Sequence, residues 1–107
     1  MIEIQTCTDG RVKLRPFGDF TWTSAVSLRH LVHDAICQEL DLTIDLSRVE
    51  GIDAAGLSAL VGSIRRARSA GGTAQVINAR PRVTAVFELA GVKDLLIRTI
   101  ATADDVA

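Results

Sequence analysis

The sequence contains no tyrosine, one tryptophan and three phenylalanines among its 107 residues. So few aromatic side chains offer few platforms on which nucleic-acid bases can stack, and the core must be built from Leu, Ile, Val and Ala. Twelve Lys and Arg residues against thirteen Asp and Glu residues give a formal net charge of -1, so no positive field attracts nucleic acid or anionic lipid. The composition therefore argues against direct nucleic-acid binding.

Cysteine and histidine are equally scarce. Cys7 and Cys37 do not form a C-x-x-C pair, and no Cys or His pair has the spacing of a zinc site. We expect both thiols to be buried as small hydrophobic groups, with a redox-sensing disulfide as the alternative. His30 and His33 fall opposite the apolar positions of a predicted helix, so we expect them to face solvent. The sequence predicts no metal site and no cofactor.

Long hydrophobic runs are missing as well. No apolar stretch approaches the roughly 18 residues that a membrane span needs. The first residues alternate apolar and polar side chains, without the basic and apolar regions of a secretory leader. We therefore expect a cytoplasmic protein. Hydrophobic residues make up 48% and charged residues 23%, which is typical of one folded domain at this length.

Hydrophobic periodicity predicts the element order ββαβαβα with a possible final strand. The predicted segments are a hairpin of strands 2–7 and 11–15 that ends at Pro16 and Gly18, a helix from a Ser24 cap to about Gln38, strand 42–46, a helix from Ala54 or Ala55 to Gly71, strand 73–77, a helix from Pro81 to Gly91, a short turn or helix at 92–96, a possible edge strand at 97–100 and a small-residue tail at 101–107. The strand–helix–strand unit over 42–77 has the length of a right-handed parallel crossover. The fold class is therefore α/β, with helices packed on a mixed sheet of four to five strands and the hairpin at its edge.

Residues 47–56 are predicted to form a long loop before the second helix, where function collects in open α/β sheets. The loop lacks the glycines and lysine of a phosphate-binding loop, and no nucleophile, histidine and acid come together near it. We therefore expect no catalytic residue and no enzyme activity. Asp53 is expected to cap the helix first and to act in recognition second. Ala54, Ala55 and Gly56 leave the helix start bare, which suits either a close protein partner or tight packing on the sheet.

Residues 45–57, which read DLSRVEGIDAAGL, resemble the signature of STAS domains of the bacterial anti-sigma factor antagonist type. In that family a D-L-S/T strand end is followed by an I-D-S-S-G-L loop that enters a helix. Residues 14–20 (LRPFGDF) are similar to the family's L-x-G-E-L-D segment, and residues 86–92 (VFELAGV) to its V-L-x-L-T-G-L helix end. The resemblance covers nearly the whole chain and implies a single STAS domain over residues 1–107.

The resemblance also implies a function. Such proteins bind an anti-sigma factor, usually a serine kinase of the histidine-kinase-like ATPase class, and so free a sigma factor and regulate transcription indirectly. The kinase phosphorylates the second serine of the loop, and the phosphate ends the binding. Carried over to this chain, the partner-binding residues are Thr21, Asp53, Ala54, Ala55, Gly56 and Leu57.

Three positions depart from the family pattern. Ala55 stands at the phosphoacceptor serine, Ala54 at the serine before it, and Thr21 where many members have Asp. We therefore expect an antagonist without the usual switch, with Ser58 as an alternative acceptor. The competing hypothesis is a non-switching STAS subunit of a scaffold, transporter or nucleotide-sensing complex. The exposed hairpin edge leaves self-association open.

Overall fold

A computed structural model describes residues 2–6 and 9–95. The elements are β1 (Ile2–Thr6), β2 (Arg11–Phe20), α1 (Trp22–Cys37), β3 (Asp41–Asp45), β4 (Arg48–Ile52), α2 (Ala54–Ser69), β5 (Ala74–Ile77), α3 (Pro81–Leu89) and a 3₁₀ turn (Lys93–Leu95). The predicted α/β class with a mixed sheet is confirmed, and the sheet has five strands. The predicted strand at 97–100 and the tail at 101–107 lie outside the described residues.

Strand β2 organises the sheet because it pairs with three other strands. β1 runs antiparallel to it, with Ile4 opposite Leu14. β3 runs parallel to its first half, with Ile44 opposite Leu14, and β4 runs parallel to its second half, with Ile52 opposite Phe20. β5 lies parallel to β3 on the far side. The parallel strands β2, β3, β4 and β5 therefore all point toward the same edge of the sheet.

The prediction that Pro16 and Gly18 end β2 is wrong, because the strand continues to Phe20. Pro16 lacks an amide hydrogen, but it lies where β2 changes its parallel partner from β3 to β4. Gly18 has φ of 81°, and the β2–β4 register shifts directly after it. Glycine therefore permits a bulge here and does not terminate the strand.

Residues 48–52 form strand β4, so the predicted loop over residues 47–56 is wrong in its central part. Val49 is fully buried while its neighbours Arg48 and Glu50 are exposed, which is the alternation of a strand with one covered face. Glu50 and Gly51 have low strand propensity, so the local sequence favours a turn. Pairing with β2, about thirty residues earlier in the chain, overrides that local preference.

The core is one cluster in which α1 and α2 pack against each other and over the sheet. Its fully buried side chains come from both helices, from alternate positions of β2, β3 and β5, and from α3; they include Leu14, Leu28, Val32, Ile44, Leu60, Ile64, Val76, Val83 and Phe87. Ser63 of α2 is also buried, and its hydroxyl has no hydrogen-bond partner within the described part of the chain. The core is mainly aliphatic, as expected from the composition, but its two largest fully buried side chains are Phe20 and Phe87.

Two predictions about α1 are corrected by the structure. The helix begins at Trp22 with Thr21 at its N-cap, and the Ser24 hydroxyl donates instead to the Asp19 carbonyl oxygen at 3.3 Å. Cys37 is exposed rather than buried, because it ends the helix on its solvent side, with its Sγ 3.6 Å from Nε2 of His33. His33 is exposed as predicted, and so is His30. Cys7 lies outside the described residues.

A buried carboxylate at the end of β3 links that strand to the middle of β2 and to the residue that follows β5. Asp45 is 3% exposed; its Oδ2 lies 3.3 Å from Nε of Arg15, and its Oδ1 accepts from the Ser47 amide at 2.9 Å and from Nδ2 of Asn78 at 3.5 Å. Burial raises the pKa of Asp45, but the hydrogen bonds from Ser47 and Asn78 and the charge of Arg15 outweigh burial and leave the pKa below its ordinary value.

This lowered pKa makes Asp45 a source of acid sensitivity. A carboxylate with a lowered folded-state pKa stabilises the fold above its unfolded-state pKa, and that contribution is lost as the pH falls through the folded-state value. We expect Asp45→Asn to lower the free energy of unfolding at neutral pH and to flatten its decline as the pH falls below the ordinary carboxyl pKa of 3.8. Urea denaturation at a series of pH values measures both effects. Equal slopes for the wild type and the variant would contradict this assignment.

Candidate functional site

The candidate site lies at the sheet edge where β2 and β4 end side by side. Phe20 and Ile52 are opposite each other, so Thr21 and Asp53, which follow them, start α1 and α2 next to one another. The Asp53 amide donates to the Phe20 carbonyl oxygen at 3.3 Å. The structure thus brings Thr21 together with residues 53–57, although thirty-odd positions separate them in the chain.

Asp53 caps α2, as predicted. Its backbone is extended, and its Oδ1 accepts a hydrogen bond from the Gly56 amide at 2.7 Å. A carboxylate at this position satisfies a free amide of the first turn and complements the positive end of the helix dipole. Asp53 remains exposed, so its charge faces solvent as well as the helix.

Gly56 is required because α2 approaches β2 very closely at this point. A Cβ added at Gly56 would overlap the carbonyl oxygen of Phe20 and lie 3.0 Å from the Phe20 carbonyl carbon. Leu57, the next residue, is 8% exposed and belongs to the core. Both residues therefore face inward and fix the position of the helix, and their part in any partner contact stays a prediction.

The outward part of the predicted site is small and bare. Asp53, Ala54 and Ala55 are exposed, and we call these three residues the α2 tip. Ser58, one turn further along α2, is exposed as well, and Thr21 is half-buried. No other segment of the described chain covers the tip. Of the two alternatives for the bare helix start, tight packing on the sheet therefore holds for Gly56 and Leu57, whereas Ala54 and Ala55 are free to contact a partner.

Sequence reasoning did not select Trp22 for the site. Trp22 is the first residue of α1, directly follows Thr21 and is 65% exposed. One feature of the sequence could have indicated Trp22: it is the only tryptophan and directly follows Thr21, which the family resemblance selects. The sequence did not predict its exposure, which depends on α1 beginning at Trp22.

The described residues form no cluster of metal-ligating side chains. Within residues 2–6 and 9–95, no group of three or more His, Cys, Asp or Glu side chains is arranged to hold a metal ion. None of the helices in these ranges combines the length and the apolar character needed to cross a membrane. What the site does offer is an exposed helix start with little side-chain bulk, which suits contact with another protein backbone.

Comparison with known sequences identifies the family. A sequence model described as "Mlab, STAS domain" matches residues 5–98. This chain belongs to the STAS domain family. It is 30% identical over 79 residues to the anti-sigma-B factor antagonist of Bacillus subtilis (strain 168), and the match covers 74% of this chain and 72% of that protein.

Solved structures share this STAS fold. The anti-sigma factor antagonist SpoIIAA in its unphosphorylated form matches with a TM-score of 0.77 at 21% identity, covering 91% of this chain and 86% of that one. The phosphorylated form of the Bacillus cell fate determinant SpoIIAA gives 0.73 at 20% identity, covering 100% of both chains. A sulfate transporter family protein from Wolinella succinogenes gives 0.74 at 20% identity, covering 88% and 77%. With the Bacillus subtilis relative, these findings make the chain an anti-sigma-factor-antagonist-like STAS domain.

The contact between Gly56 and Phe20 predicts a sharp difference between two glycines of α2. Gly56→Ala forces the helix start away from β2, so we expect the free energy of unfolding to fall by about 1–3 kcal/mol or more. Gly62, in the same helix, is exposed and has open space around an added Cβ. Gly62→Ala should therefore leave stability unchanged or raise it by up to about 1 kcal/mol, because alanine is the better helix former. Chemical denaturation followed by circular dichroism measures both; equal effects would show that the close approach is not what constrains position 56.

Proposed function

We propose that this protein is an anti-sigma factor antagonist that binds an anti-sigma factor through the α2 tip, releases a sigma factor and so regulates transcription indirectly. The observation that carries the proposal is the exposed, side-chain-poor start of α2, held in place by the Gly56–Phe20 contact. Similarity to the Bacillus subtilis antagonist supports the same class of partner. On the family resemblance, the partner is a serine kinase with the histidine-kinase-like ATPase fold, and the binding takes place in the cytoplasm.

We further propose that the usual phosphorylation switch is absent. Ala55 is exposed where the family has its phosphoacceptor serine, but its methyl group has no oxygen to receive phosphate. A phosphate there would add nearly two negative charges close to the exposed carboxylate of Asp53, which would repel a close partner. With alanine the tip keeps its charge whatever the kinase does, so binding depends on the amounts of the two proteins. Ser58 is the nearest exposed hydroxyl of α2 and is the alternative acceptor.

A second candidate function is a non-switching STAS subunit of a scaffold, transporter or nucleotide-sensing complex. The loss of the serine fits such a role, because a permanent subunit needs no phosphorylation switch. Likeness to the sulfate transporter family protein is compatible with it, although at that identity the likeness shows the fold alone. Stable co-purification with a membrane ATPase, or tight nucleotide binding, would favour this function over the first.

A charge placed on the α2 tip tests the site. We expect Ala55→Glu to weaken binding by about 1–3 kcal/mol, which is about 5- to 150-fold in Kd, because the carboxylate would be unpaired in a close contact. Isothermal titration calorimetry against each purified anti-sigma factor of the source genome gives the measurement. Ala85→Glu, an exposed position on α3, is the matched control and should bind as the wild type does.

The outcomes of this titration separate the site from the function. Unchanged affinity for Ala55→Glu would place the contact elsewhere on the protein. Absence of binding between the wild type and every anti-sigma factor would argue against the proposed function itself. Denaturation of both glutamate variants checks that each retains the fold.

Restoring the hydroxyl tests the missing switch. We expect Ala55→Ser to take up labelled phosphate from ATP in the presence of the bound kinase, whereas the wild type takes up none. The double variant Ala55→Ser, Ser58→Ala should be labelled equally, because the acceptor is position 55. Label on Ser58 of the wild type, located by mass spectrometry, would overturn the proposal that the switch is absent. No label in Ala55→Ser would mean that the kinase does not act on this helix start.

A further inference from the structure

Trp22 presents a large apolar surface that the fold itself does not use. It is the only tryptophan of the chain, begins α1 and is 65% exposed. Val26, one helical turn further along, is 41% exposed. Residues four apart on a helix lie on the same face, so the two side chains form one apolar patch. Aromatic side chains of this size dominate interface energetics when they become buried, so a free indole ring beside a candidate docking site is informative.

This patch is continuous with the α2 tip. Trp22 and Ala54 are the first residues of two helices that pack side by side. The two helix starts are joined at Phe20, whose carbonyl oxygen accepts the Asp53 amide and touches the Gly56 backbone. Helices in direct contact have axes about 8–10 Å apart, which is within the footprint of one protein partner. A partner seated on the tip therefore also reaches α1.

Exposed carboxylates lie at the same strand ends. Asp19 near the end of β2, Glu50 in β4 and Asp53 are all exposed, and the Asp19 carboxylate lies 3.3 Å from the position that a Cβ on Gly51 would occupy. Among the side chains of residues 2–6 and 9–95, no ion pair within 4.0 Å includes any of these three carboxylates. The strand ends that precede the two helix starts thus carry three carboxylates without an ion-pair partner in the described part of the chain, while the exposed Arg29 lies one turn beyond Val26 on α1.

We propose that Trp22 and Val26 are the apolar anchor of the partner contact, and that they enter an apolar recess of the anti-sigma factor bordered by Lys and Arg side chains. This inference rests on the proposed function, since the partner is the one bound at the α2 tip. The bare tip allows the partner backbone to come close, and the indole ring supplies the apolar area that becomes buried. The three carboxylates fix the position of the partner on this surface and speed association.

The first experiment removes the ring. The probe is the purified anti-sigma factor that binds the wild type in the calorimetric titration described above. We expect Trp22→Ala to raise Kd at least about tenfold and Val26→Ala to raise it less. Leu89→Ala is the control, because Leu89 is 90% exposed at the end of α3, and it should change Kd less than about twofold. Denaturation of each variant confirms an intact fold. Equal affinities for Trp22→Ala and Leu89→Ala would overturn the inference.

The second experiment observes the ring directly. Because the chain has a single tryptophan, incorporation of 5-fluorotryptophan places one fluorine label in this protein and none in an unlabelled partner. We expect its resonance to shift on addition of the anti-sigma factor and to stay in place on addition of the same concentration of an unrelated protein. A resonance that stays unchanged at saturating partner would contradict a buried indole.

The third experiment addresses charge. Asp19→Asn and Glu50→Gln should each slow association with the anti-sigma factor and weaken its dependence on salt, whereas Asp34→Asn, an exposed position on α1, should not. Equal association rates for all three variants would contradict the proposal that Lys and Arg side chains border the recess of the partner.

Two further outcomes identify where the inference fails. If the protein alone forms a dimer in sedimentation and Trp22→Ala abolishes it, a second copy covers the patch and the inference is overturned. If no anti-sigma factor binds the wild type, the proposed function itself fails. Binding that ignores Trp22 overturns this inference and leaves the proposed function standing.

Discussion

The close contact between Gly56 and the Phe20 carbonyl group is the constraint on which the rest of the site depends. It occurs where β2 and β4 end beside each other, and the hydrogen bond from the Asp53 amide to the same carbonyl oxygen reinforces it. Because the start of α2 is held against the strand end, the two residues before Gly56 are pushed outward into solvent. Exposure of Ala54 and Ala55 is therefore a consequence of tight internal packing, not of a loose loop.

The sheet provides the frame for this contact. Strand β2 pairs with β1, β3 and β4, so its position is determined from both sides and along its whole length. The buried carboxylate of Asp45, at the end of β3, joins Arg15 in the middle of β2 to Ser47 and to Asn78, which directly follows β5. Charged and polar groups thus hold three neighbouring strands together, while a mainly aliphatic cluster fills the space beneath the helices.

Short sequence patterns were sufficient to predict those parts of the fold that depend on residues close together in the chain. The helix cap at Asp53, the apolar stripe of α2 and the proline start of α3 each rest on positions within one or two turns, and the structure has them as expected. The missed elements depend on distant partners. β4 exists because β2 is available to pair with Arg48–Ile52, and β2 passes through Pro16 because two different strands pair with its two halves. Neither fact can be seen in a window of a few residues.

The candidate site was predicted mainly through resemblance to the STAS family, which selected Thr21 and residues 53–57 without explaining their arrangement, and its role in partner binding stays a prediction. The structure separates these residues by role, with Gly56 and Leu57 facing inward and Ala54 and Ala55 outward. The sequence did not predict the exposure of Trp22, because exposure of an aromatic residue depends on where its helix starts.

The Gly56 contact also bears on what position 55 can become. Since Gly56 and the Asp53 cap set the shape of the helix start and Ala55 is exposed, position 55 is free to change its chemistry without disturbing that shape. Under the proposed function, a single base change between alanine and serine codons would convert a constitutive contact into a regulated one, or the reverse, which would make this position an easy point of evolutionary change.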